Sequence, residues 1–224
     1  MDSLTNYLFN DVIWPNIPLY TKWYQYQAIN YDISYYLNDL IYLSNNNFKT
    51  NTSATHQLPS TNDYIFSDTL VTAFPLCHEV PSSAFLFEKD NIQIIYFSDT
   101  GLNTAKPCDW RAKVSSIWSN LNIEKLRGIL IETSFSNDTP DSNLFGHLRP
   151  KDLIQILAEL KSLKGGTSLQ QLNVVITHIK PTFTTVFTDS NRAVITRQIQ
   201  DGAQQANLDC NFIFPKQGEF MCFE

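Results

Sequence analysis

Residues 91–101 read NIQIIYFSDTG. Ile92, Ile94, Ile95, Tyr96 and Phe97 form a short apolar, β-branched and aromatic run, the pattern of a buried strand. The run stops at Ser98-Asp99-Thr100-Gly101, so a carboxylate stands at the carboxyl end of a strand, followed by a turn glycine. Two further strand-like runs stop the same way: Val71–Leu76 leads into Cys77-His78, and Asn173–Ile176 leads into Thr177-His178. Three strands thus deliver His78, Asp99 and His178 from their ends. An aspartate after a strand also serves as a turn former or helix cap, and a strand-end histidine also serves as a satisfied structural residue. The alternative is a shared site, and the sequence supports it with two of only four histidines at corresponding strand ends.

Length and composition narrow the class. The chain has 224 residues, 43% hydrophobic and 13% aromatic, enough for a real core. A net charge of −6 excludes the basic face of a general nucleic-acid binder. No apolar stretch approaches the length of a bilayer span. MDSLTNYLFND at the N-terminus carries neither a basic nor an apolar region of signal-peptide type; the sequence names no compartment, and the cytoplasm is the default expectation only. Cys77, Cys108, Cys210 and Cys222 are scattered with no CxxC pair. The expectation is therefore buried or free thiols rather than disulfides or a thiolate zinc site.

Outward from the central strand, helices and strands alternate, which predicts an α/β class. Asp2–Trp14 reads as a helix stopped at Trp14-Pro15. Residues 19–43 are rich in Tyr and Trp, and Ser44–Asp63, with His56, reads as a polar loop or insertion. Ser82–Glu88 and Asn91–Phe97 read as a hairpin across Lys89-Asp90. Val114–Leu121 is a predicted helix and Leu126–Ile131 a buried strand ending in Glu132-Thr133-Ser134. Leu153, Ile156, Leu157 and Leu160 fall at helical spacing ahead of Gly165-Gly166. Ser190–Asn207 reads as a helix capped by Ser190 or Asp189, and Asn211–Phe214 and Phe220–Phe223 as closing strands. There is no GxGxxG and no GxxxxGK[ST], so no dinucleotide or P-loop site is supported.

Imidazole nitrogens and carboxylate oxygens suit Zn²⁺, or borderline metals such as Mn²⁺ and Fe²⁺. His78, Asp99 and His178 suffice for one ion; a bridged pair, which activates water and clamps a phosphoryl group, needs more histidines than remain. Glu132, after a strand, and His147, in Gly146-His147 before a helix, form a second constellation. A carboxylate on one imidazole nitrogen keeps the ring oriented and able to give a proton to a leaving oxygen. The alternative is a helix-start histidine and an unrelated surface acid.

The segments PLCHEV, SSAFLF, IIYFSDTG, LRGILIETSF, LFGHLRPKDLI, NVVITHIKP and FIFPKQGEF, in that order, resemble the class II cyclic-nucleotide phosphodiesterases. The opening YLFNDVIWPNIP resembles the segment after that family's first metal motif. The resemblance covers nearly the whole chain except 44–63. It implies a metallo-β-lactamase-like αββα sandwich with a dinuclear site of divalent transition metal, two Zn or Mn/Fe. It further implies that His78 and His178 are metal ligands and that Asp99 is the bridging carboxylate. The superfamily's tRNA 3′-processing endonucleases use a Glu–His pair as proton donor, which by similarity makes Glu132 and His147 catalytic. The implied reaction is hydrolysis of 3′,5′-cyclic AMP to 5′-AMP.

The family's HxHxDH motif is absent, and no HxH occurs in this sequence. The expectation is therefore one incomplete domain over 1–224, the N-terminally truncated, C-terminal two-thirds of the fold, inactive or nearly so by itself. Expected partners are a cyclic nucleotide and a second copy of the chain, without nucleic acid or membrane. The alternatives are a non-catalytic remnant acting as a binding or dimerisation module and an RNA-processing phosphodiesterase of the same fold.

Overall fold

In the computed structural model the described residues are 31, 33–36, 68–181, 190–216 and 218–222. The expected helix at Asp2–Trp14, most of the Tyr-rich segment, and the Ser44–Asp63 loop with His56 lie outside them. The chain divides into two compact units, Met1–Val71 and Thr72–Glu224. In the first unit a short strand, β1, spans Ser34–Tyr36.

The second unit is built on strands β2 (Leu70–Pro75), β3 (Ser83–Lys89), β4 (Ile92–Phe97), β5 (Leu126–Glu132), β6 (Asn173–Thr177) and β7 (Asn211–Ile213). They lie side by side in chain order. β3 and β4 are antiparallel, while β4, β5, β6 and β7 run parallel to one another. The β3–β4 turn is Asp90-Asn91, one residue later than the sequence suggests. Both residues have positive φ, 49° and 65°, as a two-residue hairpin turn requires, and Asp and Asn tolerate it.

Parallel strands need crossovers, and helices α1 (Trp110–Asn120), α2 (Pro150–Leu163) and α3 (Asn191–Gln205) provide them. The side chain of Asp109 caps α1 by accepting from the Ala112 amide at 3.0 Å, so the helix starts ahead of the apolar run. Ser190 caps α3 through the Ala193 amide. At the start of α2 the Arg149 amide and Nε donate to Asp152 Oδ2 at 3.0 and 2.9 Å, the Asp152 amide donates to the Arg149 carbonyl at 3.0 Å, and Pro150 takes the first helical position.

Register explains the core. Leu86, Ile95, Ile129 and Val174 stand in one row across four strands, each at most 1% exposed. Val114, Ile117 and Trp118 of α1, Leu153, Ile156, Leu157 and Leu160 of α2, and Ile195 and Ile199 of α3 pack into the same cluster. Burial of each such side chain is worth about 1.5–3 kcal/mol, which holds the parallel strands in register.

Two expectations fail. Of the expected Phe220–Phe223 strand, the described residues Phe220–Cys222 form none, and Phe220 is 87% exposed, with no sheet partner among the described residues. Cys77 and Cys108 form a disulfide with Cα atoms 5.8 Å apart, so neither is the buried or free thiol expected. Thirty-one residues separate the two cysteines, and only the approach of the α1 leader to the end of β2 brings them together. Cys210 and Cys222 stay free, as expected.

Candidate metal centre

β4, β5 and β6 are parallel neighbours, so their carboxyl ends share one edge of the sheet. Asp99 follows β4, Glu132 ends β5 and His178 follows β6. His178 Nδ1 stands 3.2 Å from Asp99 Oδ1, and His78 Nε2 stands 4.0 Å from Asp99 Oδ2. Residues 78, 99 and 178, distant in sequence, converge on one carboxylate. Donor atoms of Asp99, Glu132, His147 and His178 all lie within 4.8 Å of one another, a spacing that can hold a divalent cation.

Loops rather than strands supply the other two histidines. His147 sits between a 3₁₀ turn at Asp141–Asn143 and α2. Its ring lies 4.9 Å from that of His78 and 5.1 Å from that of His178. Its Nδ1 donates to Glu132 Oε1 at 2.7 Å. Glu132 is 1% exposed. It also accepts from the Thr100 amide at 2.9 Å, Ser134 Oγ at 2.6 Å and the Leu148 amide at 3.4 Å. Both carboxylate oxygens are thus engaged, so Glu132 orients rather than lies open, and it is no surface acid.

His78 is oriented in the same way. Its Nδ1 donates to the Gly146 carbonyl at 2.9 Å, which leaves the Nε2 lone pair directed at Asp99. Holding one imidazole nitrogen with a carbonyl is how a ligand ring is fixed in tautomer and direction. The Gly146 carbonyl reaches His78 only because two glycines permit a close approach. Gly146 has φ +78°, and a Cβ there would lie 2.9 Å from His78 Nδ1; a Cβ on Gly101 would lie 2.5 Å from the Gly146 carbonyl carbon. The Asp99 turn, the His78 loop and the His147 loop therefore lie against one another. His178 itself has φ +55°, a conformation uncommon for a non-glycine residue and costly unless its surroundings enforce it. Ser134 Oγ lies 2.9 Å from the His178 carbonyl and 3.2 Å from its Nδ1, and the Lys180 amide binds the Ser134 carbonyl at 3.0 Å.

Thr100, Ser134, Gly146 and Lys180 carry no site signature in the sequence. Each lies one or two positions from Asp99, Glu132, His147 or His178, and its role is a contact that no local pattern shows. A cavity of about 380 Å³, lined by His78, Pro81, Ser82, Ser98 and Asp99 among others, opens beside the cluster. Two other cavities, near Ile123–Leu172 and between α2 and α3, contain none of these residues. Among the described residues no helix is long and apolar enough to cross a membrane.

Comparison with known proteins places the chain. Residues 1–218 match the model of the family described as cAMP phosphodiesterases class-II. The cAMP/cGMP-dependent 3′,5′-cAMP/cGMP phosphodiesterase A of Dictyostelium discoideum is 36% identical over 232 residues, 99% of this chain and 48% of that protein. The 3′,5′-cyclic-nucleotide phosphodiesterase of Aliivibrio fischeri is 36% identical over 156 residues, 68% of this chain and 46% of that protein. The chain spans about half the length of the curated relatives it matches. In structure it resembles unliganded yeast PDE1, with a TM-score of 0.71 at 23% identity over 97% of this chain and 56% of that one; that likeness shows a shared fold. With its sequence matched to the family model over nearly its whole length, the chain belongs to the class II cAMP phosphodiesterases.

Proposed function

We propose that this chain carries part of the site of a 3′,5′-cyclic-nucleotide phosphodiesterase, in which His78, Asp99 and His178 hold a divalent transition metal and Glu132 and His147 manage a proton. The observation that carries the reading is the convergence of His78 Nε2 and His178 Nδ1 on the two oxygens of Asp99. The donor set fits: imidazole nitrogens and one half-exposed carboxylate suit Zn²⁺, Mn²⁺ or Fe²⁺, and Glu132, already committed to four donors, is left to orient His147. A cation bound there supplies Lewis-acid neutralisation of phosphoryl oxygens and a nucleophile at neutral pH.

The chain's own residues do the rest. The cavity beside His78 and Asp99 has room for a nucleotide-sized group. His147, fixed through Nδ1 by Glu132, presents Nε2 to the departing 3′ oxygen and gives it a proton. A water oxygen bonds to phosphorus as the 3′ P–O bond breaks, the departing oxygen keeps the proton from His147, the proton lost by the water restores the ring, and 5′-AMP forms. Because HxHxDH ligands are absent from this sequence, the chain by itself is expected to turn cyclic AMP over weakly or not at all.

Metal analysis and product analysis test this. The purified chain, titrated with Zn²⁺ or Mn²⁺, should bind metal, and Asp99→Asn and His178→Ala should lose it. Any turnover should yield 5′-AMP. Metal binding indifferent to both substitutions overturns the site. The absence of any bound metal favours a binding or dimerisation module. Robust turnover of the chain alone, abolished by His178→Ala, keeps the site and overturns the expectation of weak activity.

A further inference from the structure

We infer that Lys180 is the residue that grips the anionic phosphate of the substrate at this centre, an inference that rests on the phosphodiesterase reading above. Lys180 follows His178 by two positions, and its Nζ stands 3.1 Å from His178 Nε2. The other nitrogen of that ring faces Asp99 Oδ1 at 3.2 Å. The ammonium therefore lies at the rim of the cluster, one imidazole ring away from its central carboxylate.

The backbone of Lys180 is fixed on both sides. Its amide donates to the Ser134 carbonyl at 3.0 Å, and its carbonyl accepts from Asn191 Nδ2 at 2.7 Å. Ser134 also engages Glu132 and His178, so the lysine stem springs from the framework that holds the catalytic pair. Half-burial of the side chain limits the directions in which the stem can reach.

Among the described residues, the ring nitrogen of His178 is the recorded hydrogen-bond partner of the ammonium, and no carboxylate pairs with it. Arg149, near the same loop, is the contrast. It is 4% exposed and its guanidinium is consumed by Asp152, Asp141 and the Thr139 carbonyl. A lysine ammonium has three donors and no acceptor; once His178 Nδ1 is given to a metal, its Nε2 carries the ring proton and accepts nothing, so all three donors are left for an incoming anion. A phosphodiester entering here must approach the half-exposed carboxylate of Asp99, so a fixed cation at the rim offsets that repulsion. Lysine acts as a point charge towards phosphate, which suits a group whose oxygens move as the ring opens.

The test uses the 224-residue chain loaded with Zn²⁺ and two probes, inorganic phosphate and 5′-AMP, in equilibrium dialysis at low and high salt. Lys180→Met should weaken both probes roughly 10- to 100-fold, the range for loss of a hydrogen bond to a charged group, and flatten the salt dependence. Lys180→Arg should restore most of the affinity, and Zn²⁺ content should match wild type in both variants. Unchanged phosphate affinity in Lys180→Met overturns the inference. So does loss of Zn²⁺ without rescue by arginine, which marks a structural role, and so does a wild-type chain that binds neither probe. If wild type binds phosphate in a Lys180-dependent manner but rejects 5′-AMP and cyclic AMP, the cyclic-nucleotide reading fails and Lys180 stands as the anion-binding residue.

Discussion

Replacing Glu132 by Gln and by Ala should separate two costs that the structure makes unequal. In Glu132→Gln the amide oxygen can take the place of Oε1 and keep the Thr100 amide, at 2.9 Å, and His147 Nδ1, at 2.7 Å. The amide nitrogen then faces Ser134 Oγ. That hydroxyl can reverse, accepting from the glutamine and donating to the His178 carbonyl 2.9 Å away. Only the Leu148 amide, at 3.4 Å, loses its acceptor, so the expected loss is about 1–3 kcal/mol. Glu132→Ala removes every acceptor and leaves three donors, Thr100 N, Leu148 N and His147 Nδ1, facing a void in a site 1% exposed. At about 1–3 kcal/mol for each orphaned donor, the three together cost about 3–9 kcal/mol. Urea unfolding followed by tryptophan fluorescence reads the difference. A gap of about 2 kcal/mol or more separates the midpoints by roughly 1 M at an m-value near 2 kcal/mol/M. Equal midpoints for the two variants, or losses under about 0.5 kcal/mol in both, would refute the account of Glu132 as the hub of the site.

Gly101→Ala should cost roughly 2–4 kcal/mol, because the new methyl must displace the Gly146 carbonyl and so break its bond to His78; a fall in Tm below about 3 °C, with metal affinity unchanged, counts against it. Gly165→Ala is the control: nothing lies within 4 Å of its Cβ, so only the φ of +71° opposes it and the loss should stay near 1 kcal/mol. Asp209, held below the usual carboxylate range by Ser168 Oγ and the Leu169 amide, should contribute stability that is fully present above the ordinary value of 3.8 and is lost as pH falls through its lower native value. The stability of Asp209→Asn should accordingly vary less with pH below 4 than that of wild type, which acid titration of the urea midpoint will show. Burial pushes the Cys210 thiol up to about 12, whereas Cys222 is exposed. Iodoacetamide at pH 8 should label Cys222 alone in the native chain, both thiols after unfolding, and Cys77 and Cys108 only after reduction, as read by mass spectrometry.

The disulfide shows where reading the sequence stops. Cys77 and Cys108 carry no spacing signature, and the composition argues for free thiols; the pair exists because the leader of α1 returns to the end of β2, where the Ala105 amide also meets Glu79 Oε1 at 2.8 Å. The Cys77 carbonyl, in turn, receives the Gly101 amide at 2.9 Å and Thr100 Oγ1 at 3.2 Å, tying the His78 strand end to the Asp99 turn. In the chain-entropy view, closing a loop of this length is worth roughly 3–4 kcal/mol.

The sequence by itself determined the α/β class, the strands that lead to His78, Asp99, Glu132 and His178, the helices between them, and the family to which the ordered motifs belong. Period and punctuation carry that information, since strand and helix patterns are local and a polar residue at the end of an apolar run is visible in one dimension. Only the tertiary structure decided that Glu132 lies buried at the centre of four donors, that Gly146 aims His78, and that Lys180 reaches the ring of His178. Those are contacts between residues 2 to 68 positions apart, and their geometry depends on how parallel strands stack in register and how closely two glycines allow neighbouring loops to approach, which no local pattern encodes.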